Sequence, residues 1–199
     1  MIKSHKRILT FEEYLSYEDD TDNRYESIDG ELIELPPESE PNCFIARYLL
    51  FAFVSQGLVP LRLISSHECE IQVPVVRSGD AANRYPDLII LAPEHILLTA
   101  NRMTITLDMP PPRLVVEVVS PGRIGRERDY DRKRAQYAAR GIPEYWIVDP
   151  QEQAIVVLQL ESDRYLEVGV FRGEGAIVSP TFPQLNLTAQ QVLPPKIER

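Results

Sequence analysis

The sequence predicts a single α/β (α+β) domain: a mixed β-sheet flanked by helices, with an added N-terminal hairpin and C-terminal strands. "RLVVEVVSP" (113–121) has the run of β-branched apolar residues expected of a strand buried on both faces. A polar helical stretch (122–141) and then "EYWIVDP" (144–150) follow it, so strand, helix and strand form a crossover unit with parallel strands. Over the whole chain the order helix, strands, helix, strand suggests one α/β layer with mixed strand directions, and 199 residues suffice for one domain over 1–199 with a core at roughly 42–150.

Each element has a local reason. In "TFEEYLSYED" Thr10 is a good N-cap and Glu13 completes a capping box. "RYESIDGELIELPP" reads as a hairpin turning at Asp29-Gly30. "NCFIARYLLFAFVSQG" reads as a helix with Asn42 as cap and Gly57 as stop, apolar nearly all round and therefore buried. "LRLISSHECEIQVPV" alternates as a strand does, and "RYPDLIIL" is another, with Pro86 near its start. Residues 92–112 read as a long connection with a short strand at 103–107. Gly141 and Pro143 stop the helix after "RLVVEVVSP", "QAIVVLQL" and "RYLEVGVFR" form a β pair, and "LTAQQVL" makes a last helical turn.

The formal net charge of -9 argues against a generic basic nucleic-acid coat or a polybasic membrane binder. Charge is nevertheless uneven. Residues 113–140 hold eight Lys/Arg against four acids, whereas residues 10–40 hold twelve acids and one base, Arg24. On charge alone the basic stretch reads as a solvated helix with i,i+4 pairs such as Asp129 with Lys133. Cys43 and Cys69 give neither a disulfide framework nor a metal-site spacing. The N-terminus lacks the apolar core of a signal peptide and no run is long enough for a membrane span, so the expected compartment is the cytoplasm.

Asp87 and Glu117 each interrupt an apolar strand, where an ionised carboxylate costs several kcal/mol or more unless something pairs with it. Two such acids repel each other unless a cation lies between them. Sites of one or two carboxylates suit Mg²⁺, which keeps most of its waters and accepts phosphate oxygens. Asp129, Lys133 and Tyr137 recur at i, i+4 and i+8; if that stripe faces the sheet, Lys133 reaches the carboxylates and can orient a water or offset charge on a phosphate. A buried Glu117–Lys133 ion pair that only fixes the crossover is the alternative.

"PDLIIL", "RLVVEVVSP", "DYDRKRAQY" and "GIPEYWIVDP" in that order resemble the PD-(D/E)XK nuclease superfamily, and more closely the bacterial Uma-two family of restriction-endonuclease-like proteins. The resemblance runs from "TFEEYL" to the C-terminal strands and implies a restriction-endonuclease-like core. It makes Asp87 the motif aspartate and Glu117 the acid of the Glu-x-Lys element, the two together holding Mg²⁺ (or Mn²⁺). Val119 stands where that lysine belongs, and Lys133, on the next helix, is the matching residue. Glu26 matches a family glutamate that would complete the site; a solvated hairpin acid is the other reading. Asn42 stands where relatives often carry His. The implied activity is metal-assisted hydrolysis of DNA phosphodiester bonds, with Arg126, Arg128, Arg132 and Arg134 available to flanking phosphates. A non-catalytic nucleic-acid- or protein-binding module on the same fold is the alternative. A homodimer is expected, since one active site cuts one strand.

Other signals are weaker. Gly122 and Gly125 read as a flexible turn rather than a phosphate cradle. His5, His67 and His95 show no ligand spacing, and His67 reads as an ordinary strand residue. Of Tyr145 and Trp146, at least one reads as core rather than a base-stacking ring, and Glu144 reads as a solvated strand start.

Overall fold

The computed structural model describes residues 8–18, 21 and 23–193; His5 and the acids Asp19, Asp20 and Asp22 lie outside them. Helix α1 (Phe11–Leu15) opens on the Thr10–Glu13 capping box. Strands β1 (Tyr25–Ile28) and β2 (Glu31–Glu34) form the hairpin, with Asp29 and Gly30 both at positive φ. Helix α2 (Glu40–Ser55) is capped by the Ser39 side chain, which accepts from the Asn42 N–H; the cap is thus three residues before Asn42, the cap the sequence suggests. Its outer face is open to solvent: Phe44 is 41% and Phe51 65% exposed, so the helix is not buried all round. The stripe of Ile45, Ala46, Leu49, Ala52 and Phe53 is buried, with Tyr48, Leu50 and Val54 half-buried beside it.

The next two expected strands are each broken. The first divides into β3 (Ile64–Ser65) and β4 (Glu70–Gln72), which join different sheets, and His67 turns between them at φ 60°. The second divides at Tyr85-Pro86 into β5 (Asn83–Arg84) and β6 (Leu88–Ile90), because Pro86 has no N–H to give a ladder. After α3 (His95–Leu98) and β7 (Thr104–Ile105) comes β8 (Leu114–Val118), buried at every position. The crossover helix has three parts: α4 (Arg123–Glu127), a π-helical turn Arg128–Lys133, and α5 (Arg134–Arg140), ended by Gly141 at φ 80°. Strands β9 (Glu144–Asp149), β10 (Ala154–Glu161) and β11 (Arg164–Phe171) and the short α6 (Ala189–Val192) complete the described chain.

The main sheet has six strands in the order β11-β10-β9-β8-β6-β3. Strands β8 and β9 are parallel and the other neighbours antiparallel, as the crossover unit requires. A second sheet, β5-β4-β7, lies across one face. The period-2 alternation of the strands sorts the core into two layers. Leu114, Val116, Val118, Trp146, Val148, Ile155 and Val157 pack under α2 and residues 177–193. Val115, Val119, Ile147, Tyr145 and Leu158 pack under Tyr137 of α5 and under Ile71 and Ile105 of the small sheet. Tyr145 and Trp146 are both fully buried, so neither ring is available to bases. No helix among the described residues is long and apolar enough to cross a membrane.

Candidate metal centre

The β6–β8 register that sets Leu88 opposite Val116 brings Asp87 level with Glu117, and facing residues of an antiparallel pair point to the same side. Glu117 shares the face of Val115 and Val119, toward the crossover helix. There Lys133 Nζ lies 2.7 Å from Glu117 Oε2, and the Tyr137 hydroxyl donates to Glu117 Oε1 at 2.5 Å. Lys133 Nζ also lies 3.1 Å from Asp129 Oδ1. The stripe of Asp129, Lys133 and Tyr137 therefore faces the sheet, all three residues buried, and the reading of this stretch as a solvated helix fails along it. The π turn falls on Arg128–Lys133, the residues that meet the carboxylates. Asp87 Oδ2 accepts from the Val118 N–H at 2.6 Å, and its Oδ1 lies 3.3 Å from His67 Nδ1.

Negative charge exceeds positive charge at this place. The Glu117 carboxyl is pushed up to about 7, first by burial and then by Asp87 and Asp129, against the pull of Lys133. Lys133 moves up as well: Asp129 and Glu117 hold its proton more strongly than burial expels it. One ammonium cannot neutralise three buried carboxylates, so Lys133 stays charged and Glu117 carries the deficit. Arg128 Nε, 3.3 Å from Asp129 Oδ1, supplies part of the balance.

Glu26, Glu38, Tyr85, Asp87, Glu117, Ser120, Arg128 and Lys133 line one small cleft. The structure thus gathers Asp87, Glu117, Lys133, Glu26 and Arg128. Glu26 is no free solvated acid: its Oε2 bonds Arg84 at 2.9 Å, and Gln136 grips the same guanidinium. Arg126 and Arg132 are elsewhere. Arg126 pairs with Asp149 and Glu152, and Arg132 pairs with Asp80 at 3.0 Å, so both guanidiniums serve the scaffold. Arg134 likewise donates to the Tyr165 carbonyl. Asn42 reaches the cleft's edge, its Nδ2 3.5 Å from the Val118 carbonyl.

Glu38 and His67 were not expected here. One ligand atom from each of Glu38, His67 and Asp87 falls within 4.8 Å of the others. The signal for His67 was the polar break "SSHE" inside an apparent strand; the turn made by that break aims the ring at Asp87. Glu38 was one acid among the twelve of residues 10–40 and carried no signal of its own.

The profile of the Uma2 family, described as "Putative restriction endonuclease", matches residues 11–190. The chain belongs to this family. A relative, an uncharacterized protein of Synechocystis sp., is 27% identical over 191 residues, covering 93% of this chain and 99% of its own length. A solved structure from Anabaena variabilis, titled a putative nuclease of the family DUF820, superposes with a TM-score of 0.65 at 19% identity, covering 92% of this chain and 97% of that one. That likeness shows the fold. For this member of Uma2, the donors of the cleft are chiefly carboxylate oxygens, which suit a divalent cation, and the charge deficit on Glu117 is one that such a cation relieves.

Proposed function

We propose that this Uma2 protein is a metal-dependent endonuclease that hydrolyses DNA phosphodiester bonds. The observation that carries the reading is the surplus of carboxylate over ammonium in a cleft floored by Asp87 and Glu117. Asp87 and Glu117 would hold Mg²⁺ or Mn²⁺, and a bound ion supplies Lewis acidity to a phosphate and to a coordinated water. Lys133 is placed by Glu117 and Asp129 with its charge retained, so it can hold a proton toward the cleft or meet charge growing on a phosphate oxygen. Arg128, on the cleft wall with its side chain 41% exposed, is the arginine placed to contact a flanking phosphate. Cutting both strands of a duplex needs two such clefts, which a homodimer would bring together.

A second reading has its own observation: both short contacts of Lys133 are already spent on carboxylates of the chain, as in a purely structural ion pair. Supercoiled plasmid separates the two. Wild type is expected to nick it with Mg²⁺ or Mn²⁺ and to stop on chelation. Asp87→Asn, which keeps an oxygen for the Val118 N–H, is expected to lose about 100-fold or more of the rate, in line with removal of an electrostatic catalytic group. Nicking by Asp87→Asn at the wild-type rate would overturn the assignment.

A further inference from the structure

We propose that Glu38, His67 and Asp87 form a mixed oxygen–nitrogen cation site that selects Mn²⁺ over Mg²⁺. It deepens the nuclease reading, because Asp87 is common to both, but it concerns which ion is held and by what. Three features of the chain carry it. The ligand atoms of the three residues lie within 4.8 Å of one another, a spacing compatible with bonds of about 2–2.3 Å to one central ion. His67 occupies the left-handed region at φ 60°, where a residue other than glycine is uncommon, and Arg24 Nη1 fixes its carbonyl at 2.6 Å. The turn so held brings the ring to Asp87, with Nδ1 3.3 Å from Oδ1, and leaves Nε2 buried without a hydrogen-bond partner among the described residues. A half-satisfied imidazole wedged against a carboxylate is a poor choice for packing alone.

Chemistry then decides the ion. Mg²⁺ takes oxygen ligands almost exclusively, whereas imidazole nitrogen is accepted by Mn²⁺ and the metals after it in the first transition row. Each Glu117 oxygen already has a contact of its own, Oε2 with Lys133 and Oε1 with Tyr137, so the imidazole is the donor that distinguishes the site from an all-oxygen one. The oxygens of Asp87 are divided between tasks: Oδ2 is tied to the Val118 N–H, and Oδ1 faces His67.

The test uses the whole chain, stripped with chelator and titrated with MnCl₂ or MgCl₂ in a calorimeter, then examined by pulsed electron paramagnetic resonance of the Mn²⁺ form. Mn²⁺ is expected to bind about tenfold or more tighter than Mg²⁺, the order of effect of one added ligand, with ¹⁴N modulation from a directly bound imidazole. His67→Gln should remove the nitrogen signal and most of the preference. Glu38→Gln, on an exposed loop residue whose change leaves the core intact, should weaken Mn²⁺ binding while keeping the nitrogen signal. Absence of ¹⁴N modulation in wild type, or equal affinity for the two ions, overturns the proposal. Nitrogen-ligated Mn²⁺ on a protein that leaves plasmid intact would sink the nuclease reading and keep this one; cleavage without a nitrogen signal would do the reverse.

Discussion

Glu117 is fully enclosed, bonded by an ammonium and a phenol, and still holds its proton to about pH 7 because Asp87, Asp129 and burial outweigh Lys133. That has a consequence for stability in the metal-free protein. An acid whose folded pKa lies above its unfolded value binds protons more tightly when folded, so the contribution of Glu117 to stability is full below about 4.5 and is lost as pH rises through about 7. Glu117→Gln, which mimics the protonated acid, should lack this slope. Urea unfolding in chelator at pH 5 and pH 8 is expected to show the variant gaining on wild type as pH rises; parallel pH profiles would mean that Glu117 is ionised throughout. The residue itself was legible from the sequence, since a charged side chain inside "VVEVV" announces a partner. His67 was not legible, because its role depends on a turn that apparent strand alternation conceals.

The crossover helix is the element on which the site depends, and its start is tightly constrained. Gly125 passes so close to the end of β8 that a Cβ there would lie 2.5 Å from the Ser120 carbonyl oxygen. Ser120 lines the cleft and Arg128 follows Gly125 by three residues, so Gly125 does more than provide the flexible turn its sequence suggested. Gly125→Ala is expected to cost about 1–3 kcal/mol in urea unfolding, as overpacking against backbone does, and to lower plasmid nicking with it. The strand–helix–strand unit was readable because its apolar pattern and its stops at Gly141 and Pro143 agree. The π turn was not, since the i, i+4, i+8 recurrence gives no sign of it. The paired fragments of residues 64–72 and 83–90 escaped for another reason: a continuous apolar alternation does not say that its halves join different sheets.

At the scale of the whole molecule, the C-terminal segment is tied to the main sheet by a buried acid at the start of β9. Glu144, expected to be solvated, is fully buried; its Oε1 accepts from Trp146 Nε1 at 2.5 Å and from the Ser179 hydroxyl at 2.8 Å, and its Oε2 from the Thr181 N–H at 2.7 Å. It thereby clasps the C-terminal segment onto the sheet, where Ile177, Phe182, Leu187 and Val192 complete the layer beneath α2. Glu144→Ala leaves three donors without acceptors and is expected to cost about 2–4 kcal/mol, read as a lower melting temperature with metal-site affinity unchanged. Little in "GIPEYWIVDP" distinguishes this glutamate from an exposed one, because two of its three partners, Ser179 and Thr181, arrive 35 and 37 positions later in the chain.

On the far side of the sheet, β11 is eight residues long and borders no further strand among the described residues, with Leu166 and Val170 each 38% exposed. Such a margin is a template for another backbone. Concentrated solutions are therefore expected to lengthen the sheet from this rim into oligomers visible by light scattering, and Leu166→Lys, by setting a charge on the growing border, should keep the protein dispersed.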